Sequence, residues 1–273
     1  MNSAFEVGAD RVSILGVPVS GLDRASTVET ILRWAGRHES RYICACDAHS
    51  IFQFARDEGH REALLKADMI TADGRPLVWV ARMRGNSQIE RVSGPDLMPA
   101  VCAASQKQGL RHYFYGGSQG VAMAVALELR KACPVLAIAG SESPPFRPLS
   151  SSEEDDLERR LREAEVNIMW IALGCPRQEK WMREHVGKFK GVVLIGVGAA
   201  FDFQCKRIPR APLWMQNAGL EWLHRLCSEP QRLWRRYLLT VPWFAAASLA
   251  ETVVLFSNRL RTVKPTRAPP WGI

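Results

Sequence analysis

A largely parallel α/β sheet covered by helices on both faces is the fold class this sequence predicts. Three observations carry that prediction. Short apolar runs rich in β-branched residues, bounded by Gly or Asp, recur along the chain. Each is followed by a stretch with apolar residues three and four apart, the helical period. The 273 residues, 47% hydrophobic and 23% charged, are enough for one large or two small domains with a real core. Taken in order, the apolar runs place strands at Val12–Val17, Tyr42–Cys46, Met69–Thr71, His112–Tyr115, Val135–Ala139, Ile168–Leu173 and Val192–Val197. The helical spacing between them places helices near Ile51–Lys66, Pro76–Arg84, Pro95–Gln108 and Gly120–Lys131. Ser26-Thr27-Val28-Glu29 and Ser151-Ser152-Glu153-Glu154 both fit a capping box, in which Ser takes an orphan N–H and Glu reaches back. No repeat of fixed period appears. Such sheets bind ligands outside the carboxyl ends of their strands, so functional residues are sought there.

Composition excludes several classes. With 20 Gly and 16 Pro the chain is neither collagen-like nor disordered. Seven Cys is an odd count without a CxxC pair, and Cys44-Ala45-Cys46 suits neither a zinc knuckle nor a disulfide framework. Met1–Asp10 is polar and acidic, unlike a signal peptide, so a cytoplasmic protein is expected. From Cys205 onward eleven basic residues face three acidic ones, which accounts for the whole formal net charge of +8. A balanced body (1–204) therefore carries a basic, aromatic-rich helical segment (205–258), with a Pro-containing tail (259–273) expected to be disordered. The basic segment is suited to phosphates or anionic lipid. Its plain alternative is a solvated charged helix.

Five segments sit where strands end. In Thr71-Ala72-Asp73-Gly74-Arg75-Pro76, Asp73 lies at a strand tip and is either an Asx turn or a general base. Arg91-Val92-Ser93-Gly94-Pro95-Asp96 reads by itself as a helix entry. Tyr115-Gly116-Gly117-Ser118-Gln119-Gly120 places glycines between a strand and a helix N-terminus, where N–H groups can meet a diphosphate. Its spacing is not GxGxxG, so a dinucleotide fingerprint is absent. Gly174-Cys175-Pro176-Arg177-Gln178-Glu179 puts two polar side chains in a first helical turn, for a base or sugar or simply for solvent. Gly196-Val197-Gly198-Ala199-Ala200-Phe201-Asp202-Phe203 sets an Asp between aromatics, as a cap or a ligand contact.

In this order, and followed by Arg210-Ala211-Pro212, Gly219-Leu220-Glu221-Trp222 and Glu229-Pro230 to Tyr237, the segments resemble the WecG/TagA/CpsF family of bacterial glycosyltransferases. The likeness covers roughly Val12 to Phe244. It implies a Rossmann-like body of the GT-E type with a C-terminal appendage that docks to membrane and contributes arginines. It further implies transfer of a hexosyl or N-acetylhexosaminyl group, with inversion to a β linkage, from a UDP-sugar to a polyprenyl-diphosphate-linked saccharide at the inner membrane face. By position the family's catalytic base falls on Asp73. Gly116, Gly117 and Gly120, with Gly174, Pro176, Gln178, Glu179 and Asp202, would line the nucleotide-sugar pocket. Asp47 and His49 would face the acceptor, and Arg232, Arg235 and Arg236 would contact diphosphate.

One position departs from the family. After the strand Tyr42–Cys46 the family has Thr, a residue, then Asn, whereas this chain has Ala45 and Asp47. Ala48-His49-Ser50-Ile51 still resembles the form of the exopolysaccharide branch. Either the acceptor differs or activity is weakened, and Asp47 and Asp73 would form coupled carboxylates. No DxD pair is present, so no required metal and no cofactor are expected. Leu238–Phe256 is apolar with a single charge, Glu251, and holds Pro242. An interfacial helix is favoured there over a span, with a core helix as the plain alternative. Self-association is a further expectation. A dehydrogenase lacks its fingerprint here, and nucleic acid is not an expected partner. A non-catalytic member of the family that binds UDP or membrane only remains the alternative.

Overall fold

The structure, a computed structural model, describes residues 11–262, with backbone alone for 258–262. Strands β1 (Arg11–Ile14) and β2 (Val17–Ser20) form an antiparallel hairpin. The expected single strand Val12–Val17 is thus folded back on itself. Leu15 and Gly16 both have positive φ, 49° and 86°, the twist that a two-residue hairpin turn requires.

The main sheet contains β3 (Arg41–Cys46), β4 (Met69–Ala72), β5 (His112–Gly116), β6 (Ile138–Glu142), β7 (Ile168–Ala172) and β8 (Val193–Gly196). Their order is β4-β3-β8-β7-β5-β6, and every pair is parallel. All carboxyl ends therefore emerge on one side. Alternate residues divide between two cores. Met169 and Ile171 of β7 face one, Ile168 and Trp170 the other, as a sheet buried on both faces demands. The architecture is the Rossmann-like α/β fold expected. Strand β6 begins three residues later than expected. Val135 is 72% exposed, and Gly140 leaves room for the Tyr113 ring, which a Cβ there would meet at 2.5 Å.

Helices α1 (Arg24–Gly36), α2 (Ala48–Phe54), α3 (Glu58–Leu65), α4 (Arg75–Met83), α5 (Gly94–Ser105), α6 (Val121–Ala132), α7 (Ser151–Glu163), α8 (Arg177–His185) and α9 (Ala200–Gln204) complete the body. Local chemistry explains where they differ from expectation. Asp23, rather than Ser26, caps α1 by accepting from Ser26 N at 2.7 Å. The capping box of α7 is Ser150 with Glu153, one residue earlier than read. The single helix expected at Ile51–Lys66 is two, because Asp57 accepts from His60 N at 3.0 Å and starts a new one.

The C-terminal segment adds α10 (Leu213–Asn217), α11 (Glu221–Ser228) and α12 (Pro230–Thr262). Leu233, Tyr237, Thr240, Phe244 and Ser248, at helical spacing on α12, are buried against the body. Trp234, Leu238, Leu239, Leu249 and Val253 are exposed. The stretch Pro230–Ser257 has the length and apolarity of a membrane span, and only 17% of its most apolar window is buried, unlike a core helix. α12 continues to Thr262, four residues into the tail expected to be disordered. The rest of that tail lies outside the described residues.

Gly116 fixes the path from β5 toward α6. Its φ is 127°, and a Cβ there would meet the Ala172 carbonyl oxygen at 2.5 Å. Gly116→Ala is expected to cost about 1–3 kcal/mol, seen as a lower urea midpoint with unchanged slope.

Candidate active site

The strand tips converge on one cleft of about 1310 Å³. Asp47 follows β3, Asp73 follows β4, Gly117 and Ser118 follow β5, Gly174 and Cys175 follow β7, and Val197 and Gly198 follow β8. The far wall is the C-terminal segment, through Arg207, Gln216, Glu221, Arg225, Arg232, Arg236 and Tyr237.

Asp73 stands alone. Its backbone N–H donates to Cys46 O at 2.9 Å, which holds the tip of β4 to β3, but no described side chain hydrogen-bonds or pairs with its carboxylate. Burial pushes this carboxyl up to about 7, Asp47 and Glu221 push the same way, and Arg91 only partly offsets them. The Asx-turn reading fails, since the next helix, α4, starts from Gly74 with no side-chain cap. A half-protonated carboxylate facing a cleft can take a proton from a bound hydroxyl.

Across the same cleft, with the tips of β3, β8 and β7 between, the turn after β5 opens α6. Gly117 N is used by Ala172 O at 2.9 Å, so Gly116 and Gly117 shape the turn. The N–H groups of Ser118, Gln119 and Gly120 have no described hydrogen-bond acceptor. Arg207 reaches Ser118 Oγ at 2.5 Å and pairs with no described carboxylate. Arg177, also without a described carboxylate partner, lies over the Phe146 ring at 4.8 Å. Phe146 is 95% exposed and lines the cleft. Arg177 also donates to Arg147 O at 3.2 Å, so these are backbone donors at a helix start with two guanidinium groups that lack carboxylate partners, chemistry that suits an anion.

Gln178 lines the cleft, yet its amide is committed. Oε1 accepts from Gly198 N at 3.1 Å, and Nε2 donates to Glu179 Oε1 at 2.9 Å. It holds the β8–α9 loop in place. Glu179 lies beneath the floor, 0% exposed, so neither residue faces solvent as one reading had it. Asp202 lines the cleft, whereas Gly116, Gly120 and Pro176 are turn residues outside its lining.

The remaining wall is locked on by charge. Asp47 caps α2, accepting from Ser50 N at 2.8 Å, and its other oxygen accepts from Arg236 Nη2 at 2.8 Å. Burial opposes its ionisation, but Arg236 keeps the carboxyl below the ordinary range. The charge that departs from the family pattern is thus met within the fold. His49 contacts Thr240 Oγ1 at 3.3 Å and is neutral, burial and then Arg236 pushing it down to about 4. Arg232 pairs with Glu229 at the cleft edge. Arg235 lies outside the cleft over the Trp234 ring, so it does not join Arg232 and Arg236 there.

Asp96 binds the wall most firmly. It accepts two bonds from Arg210 at 2.6 and 2.7 Å, one from Arg91 at 2.8 Å and one from Ser93 Oγ at 2.7 Å. Burial opposes ionisation, but those bonds and charges hold its carboxyl well below the usual range. Arg91 also donates to Glu221 at 2.6 Å and to Gln216 at 2.9 Å. Sequence reasoning missed this network, and missed Arg207, Arg177, Arg225 and Phe146 as cleft residues. The clustered arginines after Cys205 were the available signal for two of them.

A family model described as Glycosyl transferase WecG/TagA/CpsF family matches residues 12–257. The chain is similar to the N-acetylglucosaminyldiphosphoundecaprenol N-acetyl-beta-D-mannosaminyltransferase of Bacillus subtilis (strain 168). They are 28% identical over 200 residues, covering 73% of this chain and 75% of that protein.

Two outcomes follow from the geometry. Asp73 in the folded chain keeps its proton up to about 7, against 3.8 for an ordinary Asp, so the native state binds more protons in between. Stability therefore falls as pH rises through that window, and the loss is complete above it. Asp73→Asn should raise the melting temperature at pH 8 by ~2–4 °C for each kcal/mol relieved, with no gain at pH 4. Asp96→Ala should free the C-terminal wall: a loss of ~1.4 kcal/mol in its closure is a tenfold rise in amide exchange across 213–229.

Proposed function

The chain belongs to the WecG/TagA/CpsF family of glycosyl transferases, and from that premise we propose that it moves a sugar from a UDP-sugar to a polyprenyl-diphosphate-linked saccharide with inversion. The observation that carries the reading is the unpartnered Asp73 carboxyl, pushed up to about 7, in one cleft with backbone N–H groups and arginines suited to an anion. In this reading the acceptor hydroxyl enters from the Arg225, Arg232 and Tyr237 side of the cleft. Asp73 takes its proton as the oxygen attacks the sugar carbon. The bond to the donor diphosphate breaks on the opposite face, which makes the new linkage β from an α donor.

The departing UDP gains negative charge at its terminal phosphate. The N–H groups of Ser118–Gly120 and the guanidinium groups of Arg207 and Arg177 would meet that charge without reorganising. Phe146 offers a face for the base and Asp202 an acceptor for a ribose hydroxyl. These cations would do the work often given to a nucleotide-bound divalent ion, so that ion is not required in this proposal.

The Bacillus relative's name gives it an undecaprenol-linked N-acetylglucosamine acceptor and an N-acetylmannosamine donor sugar. The same acceptor class is proposed here, with a hexosyl or N-acetylhexosaminyl donor, for cell-surface polysaccharide assembly. Such an acceptor lies in a membrane. The exposed apolar stripe of α12, with Arg235 near its start, would rest on the anionic inner face of that membrane, keeping the protein peripheral and cytoplasmic. A non-catalytic role is the second reading, on the strength of Ala45 and Asp47. The Asp47–Arg236 pair weighs against it, since no uncompensated charge is left beside Asp73.

UDP release from a panel of UDP-sugars, with a short-chain lipid diphosphate saccharide present, tests the proposal. Release should need the acceptor, proceed with Mg²⁺ and Mn²⁺ omitted, and fall ~10²–10⁴-fold in Asp73→Asn. Phe146→Ala should raise the donor KM with little change in kcat. Acceptor-dependent release that survives Asp73→Asn would overturn the assignment of the base. UDP binding without release from any donor would favour the non-catalytic reading.

A further inference from the structure

Beneath the cleft floor, apart from the groups assigned to transfer, His60 of α3, Cys175 of the turn after β7 and Glu179 of α8 bring one donor atom each to within 4.8 Å of one another. The His60 and Glu179 side chains are wholly buried. Ser50 settles the tautomer of His60. Nε2 meets two Ser50 atoms, Oγ at 3.0 Å and the backbone carbonyl at 3.1 Å, and because the carbonyl can only accept, the tautomer that satisfies both puts the hydrogen on Nε2. Nδ1 is then a bare lone pair without a hydrogen-bond partner. It faces Glu179 Oε2 at 3.7 Å, and that oxygen has no nitrogen or oxygen donor, because Gln178 donates to Oε1 and the remaining interaction of the carboxylate is with the Cys175 thiol, itself one of the three. Two facing acceptors in a dry interior need something electropositive between them.

A proton would join two of the three donors, whereas a divalent cation joins all of them. Thiolate and carboxylate together carry the two negative charges that such an ion cancels. The mixture of nitrogen, sulfur and oxygen donors suits zinc and not magnesium or calcium, which take oxygen. We propose that His60, Cys175 and Glu179 form a zinc site that fastens α3, α8 and the Gly174–Pro176 turn together under the cleft. Zinc bonds of about 2.0–2.3 Å in a tetrahedral arrangement set donors about 3.5 Å apart, so the donor set must contract by up to about 1.3 Å. Cys175 also lines the cleft, which gives the ion a way in. Since Glu179 holds Gln178, and Gln178 holds Gly198, the ion would steady the loop that presents Asp202. The proposal does not rest on the transfer reading, and its test uses no turnover.

The full chain, stripped of metal, would be titrated with cobalt(II) and examined by native mass spectrometry with zinc. One equivalent is expected, with a thiolate-to-cobalt band in the near ultraviolet and a higher melting temperature with zinc. Cys175→Ser should lose the band, and His60→Gln should weaken binding at least tenfold, while the exposed Cys227→Ser retains both. Far-ultraviolet circular dichroism of each variant without metal checks its fold, and the wild-type stoichiometry stands even if a variant fails that check. Absence of stoichiometric binding by the wild type would overturn the site and leave a proton shared by Glu179 and His60. So would a cobalt band that survives Cys175→Ser.

Discussion

The constraint on which the rest of this structure depends is a carboxylate in the cleft that no described side chain pairs with and that Arg91 only partly offsets. Asp73 sits where parallel strands end, receives no hydrogen bond from any described side chain, and has Asp47 and Glu221 as electrostatic neighbours. Such a group costs stability whenever it is ionised, and the surrounding fold must supply that stability. The doubly covered sheet does so. Its tips are fixed by main-chain pairing to β3 and by close glycine contacts, as at Gly116 against Ala172 and Gly94 against Val197.

The same constraint explains the far wall. The cleft is closed by a basic segment held on through Asp96 with Arg91 and Arg210, and through Asp47 with Arg236. Asp47 and Asp96, which bind arginine, are held ionised, while Asp73, which lacks such a partner, keeps its proton to a higher pH. One pocket thus contains acids of opposite behaviour, separated by environment alone. The anchoring also leaves Arg207 and Arg177 without carboxylate partners among the described residues, and so leaves cationic groups facing the cleft that an anionic ligand can use.

Much of this was legible in the sequence because it is local. Gly and Asp at the ends of apolar runs marked the strand tips, and Asp73, Asp202 and Gly117 lie along the cleft. The basic balance after Cys205 identified the segment that forms its wall. What was not legible depends on side-chain direction and on distant partners. Nothing within Gln178-Glu179 tells that one amide is committed to Gly198 while the neighbouring acid is buried beside His60. Asp96 looked like an ordinary first-turn acid because the partner that gives it two of its bonds, Arg210, lies far along the chain. The hairpin at Leu15-Gly16 was hidden because one residue with positive φ there is a leucine, a poor advertisement for a turn.

The reading stands or falls on the proton affinity of one group. A ¹³C nuclear magnetic resonance titration of the Asp73 carboxyl, assigned by difference from Asp73→Asn, measures it directly. The account predicts a midpoint near 7. A midpoint near 4, the ordinary Asp range, would contradict it and leave Asp73 without the basicity assigned to it.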